Sequence, residues 1–231
     1  MSICDNLADI RKQIALAALQ AGREPESILL DGATKMNDAS RVQEAIHAGL
    51  RICGENRVQE MLQKQAQRAY EGAQLHFIGH LQKNKVRQVV GLASLIHSVD
   101  SVALLAQIDK CAEKAGIVQD ILLEINVGME AAKSGFSAEE IPSVLAQAVN
   151  FSHICVRGLM AVPPICERGE ENLPYFRIME QLFVDNKEKK YDNVYMDFLS
   201  MGMSGDFETA IACGANMIRL GSAIFGARVY N

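Results

Sequence analysis

The chain has 231 residues, of which 49% are hydrophobic and 22% charged, and its formal net charge is −5. This composition excludes a disordered chain, and the negative net charge excludes the positive field that non-specific nucleic-acid binding requires. No apolar run reaches the ~20 residues of a membrane-spanning helix, and the N-terminus lacks a signal-peptide pattern. We therefore expect a cytoplasmic protein that contacts neither membrane nor nucleic acid. Because the six cysteines form no C-x-x-C pair, we expect no metal centre.

The first predicted element is a helix over residues 4–21, and strands then alternate with helices to the end of the chain. In chain order, the predicted strands cover residues 27–34, 51–54, 75–80, 94–99, 120–127, 154–162, 194–201 and 217–220. The predicted helices between them cover residues 39–48, 57–70, 83–90, 101–115, 137–149, 171–186 and 204–213, and a last helical turn begins at residue 221.

This alternation predicts an α/β fold. Strands that are apolar on both faces and separated by helices form a parallel sheet covered by helices. Eight strand–helix units favour a (β/α)8 TIM barrel with an extra N-terminal helix. The alternative is an open doubly wound sheet, which would favour a G-x-G-x-x-G turn that the sequence lacks. Since no low-complexity linker interrupts the pattern, we predict a single domain over residues 1–231.

Ligands of such barrels bind at the C-terminal ends of the strands, where this chain carries several polar residues. Lys35 directly follows the first strand. Burial of a lysine favours its neutral amine, which can form a Schiff base with an aldehyde. The alternative is a lysine whose stem lies along apolar surface while its amine reaches solvent.

Two predicted helix starts, at Ser204 and at Gly221-Ser222, follow the last two strands. Helix N-termini bind phosphate, and barrel enzymes commonly bind phosphate at this place. The alternative for each is ordinary helix capping.

Arg219 stands in an otherwise apolar strand, so its guanidinium needs a buried acceptor. The acceptor is either a ligand atom or a core carboxylate such as Glu124 or Asp197.

Six motifs carry a resemblance to a known family. The chain resembles, over nearly its whole length, the pyridoxal phosphate homeostasis proteins, single-domain relatives of the alanine racemase barrel. The motifs are GENRVQE (54–60), HFIGHLQKNK (76–85), KSGF (133–136), RGLMAVP (157–163), LSMGMS (199–204) and IRLGSAIFGAR (218–228).

The resemblance implies pyridoxal 5'-phosphate (PLP) as the cofactor and Lys35 as its Schiff-base lysine. Many members carry a second lysine two positions later, where this chain has Asn37, and a tyrosine where it has Arg57. The resemblance assigns the phosphate to Ser200 or Ser204 and to the Gly221-Ser222 turn. It also assigns Arg219 to the pyridine nitrogen and Asn56 to the pocket wall.

The predicted function is the binding and intracellular handling of PLP with little or no catalytic turnover. An arginine cannot give up its proton, so it leaves the pyridine nitrogen unprotonated and the ring a poor electron sink. The alternatives are a slow PLP-dependent amino-acid racemase or lyase, and a barrel that binds another phosphorylated ligand. The expected partners are PLP, other B6 vitamers and PLP-dependent apo-enzymes, and the expected state is a monomer.

Overall fold

Eight parallel strands close into a barrel in sequence order. The computed structural model describes residues 2–130, 133–189 and 191–226. Strand β1 pairs with both β2 and β8, which closes the sheet and confirms the (β/α)8 prediction over the open alternative. The strands are β1 Leu29–Ala33, β2 Ile52–Glu55, β3 Gln74–Phe77, β4 Leu95–Val99, β5 Gln119–Ile125, β6 Ile154–Ala161, β7 Val194–Ser200 and β8 Met217–Leu220.

Helices cover the outside of the barrel. The extra N-terminal helix begins with a capping box between Ser2 and Asp5, and it packs against the last two helices of the chain. The α-helices are α1 Ile3–Gln20, α2 Ala39–His47, α3 Val58–Ala66, α4 Val102–Ala115, α5 Ile141–Ala148, α6 Leu173–Lys187, α7 Phe207–Ala212 and α8 Ser222–Phe225. None of the described helices is both long enough and apolar enough to cross a lipid bilayer.

The connection between β3 and β4 differs from the prediction. The predicted α-helix over residues 83–90 is instead a 3₁₀ helix over Lys83–Gln88. Val86 and Val89 are both fully buried. Their spacing of three residues matches the three residues per turn of a 3₁₀ helix, so both can face the barrel.

The start of α7 also differs, because the predicted helix from Ser204 begins only at Phe207. The side chain of Asp206 accepts a hydrogen bond from the amide of Met203 at 2.6 Å, and the Met203 carbonyl accepts from the amides of Asp206 and Phe207. These bonds close a turn over residues 203–206. Ser204 therefore lies in the turn, and the prediction that it caps a helix is wrong.

The barrel interior contains both apolar and polar side chains. Leu95, Leu122, Met160 and Met217 form a buried apolar cluster inside the barrel. Leu95 and Met217 begin their strands, whereas Leu122 and Met160 lie further along β5 and β6. The barrel also encloses buried polar side chains.

Candidate functional site

A cavity of about 360 Å³ opens at the C-terminal end of the barrel. Six of the seven residues predicted for the cofactor site line it, although they come from four different strand–loop units. Those six are Lys35, Asn56, Ser204, Arg219, Gly221 and Ser222. The rest of the wall is Ala33, Ile78, Val162, Met203 and Gly205.

Ser200 is the seventh predicted residue, and the structure places it below the cavity. It ends β7 with its side chain inside the barrel, where it is fully buried. Its Oγ accepts a hydrogen bond from Arg219 at 2.6 Å and lies 3.1 Å from Nδ1 of His97. The structure therefore brings Ser204, and not Ser200, to the cavity wall.

Arg219 is held by two hydrogen bonds that fix the plane of its guanidinium. Besides Ser200, it donates to the carbonyl oxygen of Ala161 at 2.9 Å. Burial lowers the pKa of Arg219 from its ordinary value, and the nearby charges of Asp31, Glu124 and Asp206 oppose that shift.

The two core carboxylates named as alternative partners of Arg219 behave differently. Asp197 accepts from Nε of Arg157 at 2.7 Å, so its proposed pairing with Arg219 is wrong. Glu124 acts on Arg219 through its charge.

The backbone on both sides of Lys35 is anchored by residues of α3. Lys64 donates from Nζ to the carbonyl of Thr34 at 2.7 Å. The amide of Met36, whose φ is +62°, donates to a carboxylate oxygen of Glu60. Because Lys64 and Glu60 are themselves paired at 2.8 Å, one ion pair fixes the residues before and after Lys35.

Lys64 is also the centre of a buried network that sequence reasoning missed. It is 5% exposed and pairs at 2.6 Å with Glu55, which is fully buried. The same Glu55 oxygen accepts from the hydroxyls of Thr34 at 2.6 Å and Tyr70 at 3.0 Å. Burial and then the Glu55 charge raise the pKa of Tyr70, which therefore donates as a neutral hydroxyl. The available sequence signal was the spacing of Glu60 and Lys64, four residues apart on one helix face.

Asn56 presents an unsatisfied acceptor at the cavity. Its Oδ1 is buried and has no hydrogen-bond partner among the residues that the structure describes. The chain after β3 packs directly on it: a Cβ on Gly79 would lie 2.2 Å from the Asn56 carbonyl oxygen. Since buried acceptors are rarely left unpaired, Asn56 is suited to a ligand that brings a donor.

Beside Asn56, a second cavity of about 490 Å³ contains Glu124 and Lys133. Burial, followed by the charge of Asp100, raises the pKa of Glu124 to about 7. A carboxyl group with this pKa exchanges protons near neutral pH.

A third cavity, of about 450 Å³, adjoins the first and shares Lys35, Gly221 and Ser222 with it. As predicted, Gly221 stands directly before the last helix, α8. Arg41 also lines this cavity. Its Nε donates to Asn37 at 3.1 Å, so the residue that replaces the second family lysine orients an arginine. Sequence reasoning missed Arg41 because it lies on α2 and not at a strand end.

Below Arg219, the barrel holds a cluster that sequence reasoning also missed: Asp31, His76 and His97, all buried. Burial, then His76 and Arg219, keep the pKa of His97 well below its ordinary value. The available sequence signal was the alternation of side-chain direction along a strand, which points His76 of β3 and His97 of β4 into the barrel.

Comparison with known proteins gives the family. Residues 32–229 match the model of the alanine racemase N-terminal domain. The pyridoxal phosphate homeostasis protein of Aquifex aeolicus is 40% identical over 230 residues, which cover 100% of both chains. The chain belongs to the pyridoxal phosphate homeostasis protein family.

Solved structures of this family superpose closely on the barrel. PipY of Synechococcus elongatus without PLP is 32% identical, with a TM-score of 0.87, over 97% of this chain and 100% of PipY. PipY with PLP bound is 31% identical, with a TM-score of 0.84 over the same shares of the two chains. The resemblance found in the motifs is thus confirmed.

Proposed function

We propose that the protein binds PLP at the mouth of the barrel, linked to Lys35, and serves in the intracellular handling of this cofactor. The observation that carries the proposal is that Lys35, Arg219 and the Gly221-Ser222 turn line one cavity. Supporting it, a family member, PipY, has a structure with PLP bound.

The residues present fit the chemistry of PLP. The Lys35 amine suits an aldehyde. Ser204, the Gly221-Ser222 turn and Arg41 offer hydroxyl, backbone N–H and guanidinium donors to a phosphate. Because α8 has only four residues, these donors matter more than a helix dipole. The unsatisfied Oδ1 of Asn56 suits a donor on the ligand.

Little catalytic turnover follows from the residue proposed for the pyridine nitrogen. When its ring nitrogen is protonated, PLP supplies an electron sink that stabilises a carbanion. Arg219 is a donor that keeps its proton, and Ser200 and Ala161 hold it in place. The site therefore holds the cofactor without activating it strongly.

A slow PLP-dependent racemase or lyase is the second candidate, and Glu124 is the observation that favours it. With a pKa of about 7, it could exchange a proton with a bound amino acid in the cavity next to Asn56. A barrel that binds another phosphorylated ligand is separated from both PLP hypotheses by absorption, since only a PLP–lysine linkage absorbs near the visible range.

Deuterium exchange at Cα of alanine and serine distinguishes a protein that only binds PLP from a PLP-dependent enzyme. Saturating amino acid is incubated in D₂O with the PLP-loaded protein, and the exchange is followed by NMR. We expect exchange far below the median enzyme turnover of ~10 s⁻¹. Exchange that approaches this rate and is lost in Glu124→Gln would establish the enzyme instead.

We propose that the cavity also accepts other B6 vitamers and that PLP-dependent apo-enzymes receive the cofactor. We further propose that the protein acts in the cytoplasm as a monomer.

A further inference from the structure

Three potential metal-binding atoms meet inside the barrel, beneath the cofactor cavity. Oδ2 of Asp31 lies 3.2 Å from Nδ1 of His76 and 3.8 Å from Nε2 of His97. The two nitrogens are 3.0 Å apart. Asp31 and His97 are fully buried, and His76 is 3% exposed.

Hydrogen bonds alone do not satisfy the lone pairs of this cluster, because it has too few protons. Only one proton fits between the two nitrogens, because two N–H groups facing each other at 3.0 Å would repel. That single proton would have to form hydrogen bonds to both the other nitrogen and the Asp31 carboxylate. In addition, Oδ1 of Asp31 is buried and has no hydrogen-bond partner among the described residues. The cluster therefore has more lone pairs than protons to satisfy them.

A metal ion fits the same geometry. From the three separations, the point equidistant from Oδ2, Nδ1 and Nε2 lies about 2.0 Å from each, which is the length of a Zn–N or Zn–O bond. Oδ1 of Asp31 can supply a fourth donor if the carboxylate binds through both oxygens. Two imidazoles and one carboxylate are a donor set typical of zinc or ferrous iron.

The surroundings orient these donors. Nδ1 of His97 is hydrogen-bonded to Ser200 at 3.1 Å, which directs Nε2 of the same ring toward Asp31. Asp31 in turn needs Gly54 on the neighbouring strand, since a Cβ there would lie 2.3 Å from Oδ1.

We propose that Asp31, His76 and His97 form a buried site for a divalent transition metal, with Zn²⁺ as the best fit. This assignment goes against the sequence-based expectation of no metal centre, which rested on the cysteine pattern alone. Such an ion would join β1, β3 and β4, and through His97 and Ser200 it would fix the position of Arg219.

The test measures metal content of the full-length protein loaded with PLP. Protein purified without chelator is incubated with ZnSO₄, gel-filtered, and analysed by elemental mass spectrometry. We expect one tightly held zinc per chain, and a fall to below about a tenth of that in Asp31→Leu and in His97→Gln. His80→Gln is the matched control, because His80 pairs with Asp100 at the surface and should leave the zinc content unchanged.

Wild-type protein that retains no zinc would overturn the proposal, and so would zinc retained equally by Asp31→Leu and His97→Gln. Far-UV circular dichroism of each variant shows whether it has folded. If neither variant folds, zinc addition to wild-type protein decides the matter. An ion bound only by the native state raises the unfolding temperature, and the absence of any rise would exclude the site. Loss of zinc with PLP retained separates this inference from the proposed function.

Discussion

At the scale of single residues, the environment of Lys35 depends on a buried ion pair. Lys64 neutralises Glu55 in the interior and holds the carbonyl next to Lys35. Removing one partner of a buried pair costs more than the pair contributes, because the other charge is left uncompensated.

Lys64→Met should therefore destabilise the protein by roughly 3–5 kcal/mol, measured as the free energy of unfolding in urea. PLP affinity should fall as well, because the backbone beside Lys35 loses an anchor. The control is Lys12→Met, which removes an exposed ion pair with Asp9 and should change stability by less than about 1 kcal/mol. A Lys64→Met protein as stable as the wild type would show that the network is not needed for the fold.

Glu124 should give stability a distinctive dependence on pH. Its pKa rises on folding from 4.5 to about 7, so the folded state binds more protons than the unfolded state between these values. The contribution of Glu124 to the free energy of unfolding is therefore most favourable below pH 4.5. It is lost as the pH rises to about 7. Glu124→Gln should remove that part of the slope of the free energy of unfolding, between about pH 4.5 and pH 7. Exposed Glu139→Gln is the control and should keep the slope, and an unchanged slope in Glu124→Gln would contradict the pKa assignment.

The polar residues at strand ends could be predicted from sequence, because a parallel barrel turns every such end toward one mouth. Lys35, Asn56 and Arg219 were found in this way. Lys64 and His97 were not, because a single sequence does not show which charged or polar side chains are buried together. Their partners lie on other elements, at Glu55 and Ser200.

At the scale of elements, two short segments form the proposed phosphate site: the turn over residues 203–206 and the start of α8. The sequence predicted both as helix starts, yet only Gly221-Ser222 is one. The Asp206 side chain accepts a hydrogen bond from the amide of Met203 and so stabilises the turn. Such bonds between a side chain and the local backbone compete with helix formation.

PLP should bind much more tightly than pyridoxal, which lacks the phosphate. Each lost charge-assisted hydrogen bond is worth roughly 1.5–3 kcal/mol. Ser204→Ala and Arg41→Ala should weaken the binding of PLP more than that of pyridoxal, as measured by titration. Arg57→Ala, which changes an exposed arginine just before α3, is the control. Equal affinities for PLP and pyridoxal would show that these segments do not hold a phosphate.

At the scale of the whole molecule, the alternation of apolar strands and helices was sufficient to predict the closed barrel. The sequence shows strands that are apolar on both faces with helices between them, which is the pattern of a parallel sheet covered by helices. The 3₁₀ character of residues 83–88 was not predictable in this way, because valines three residues apart suit either helix type. The prediction of one domain over residues 1–231 stays a prediction, supported by the closure of β1 on β8.

The most direct measurement of the central claim is the identity of the modified lysine. The PLP-loaded protein is reduced with borohydride, digested, and mapped by mass spectrometry. We expect the added cofactor mass on the peptide that contains Lys35, and no such adduct in Lys35→Ala. An adduct found only on peptides containing Lys83, Lys85 or Lys133 would contradict the assignment of Lys35 and, with it, the proposed site.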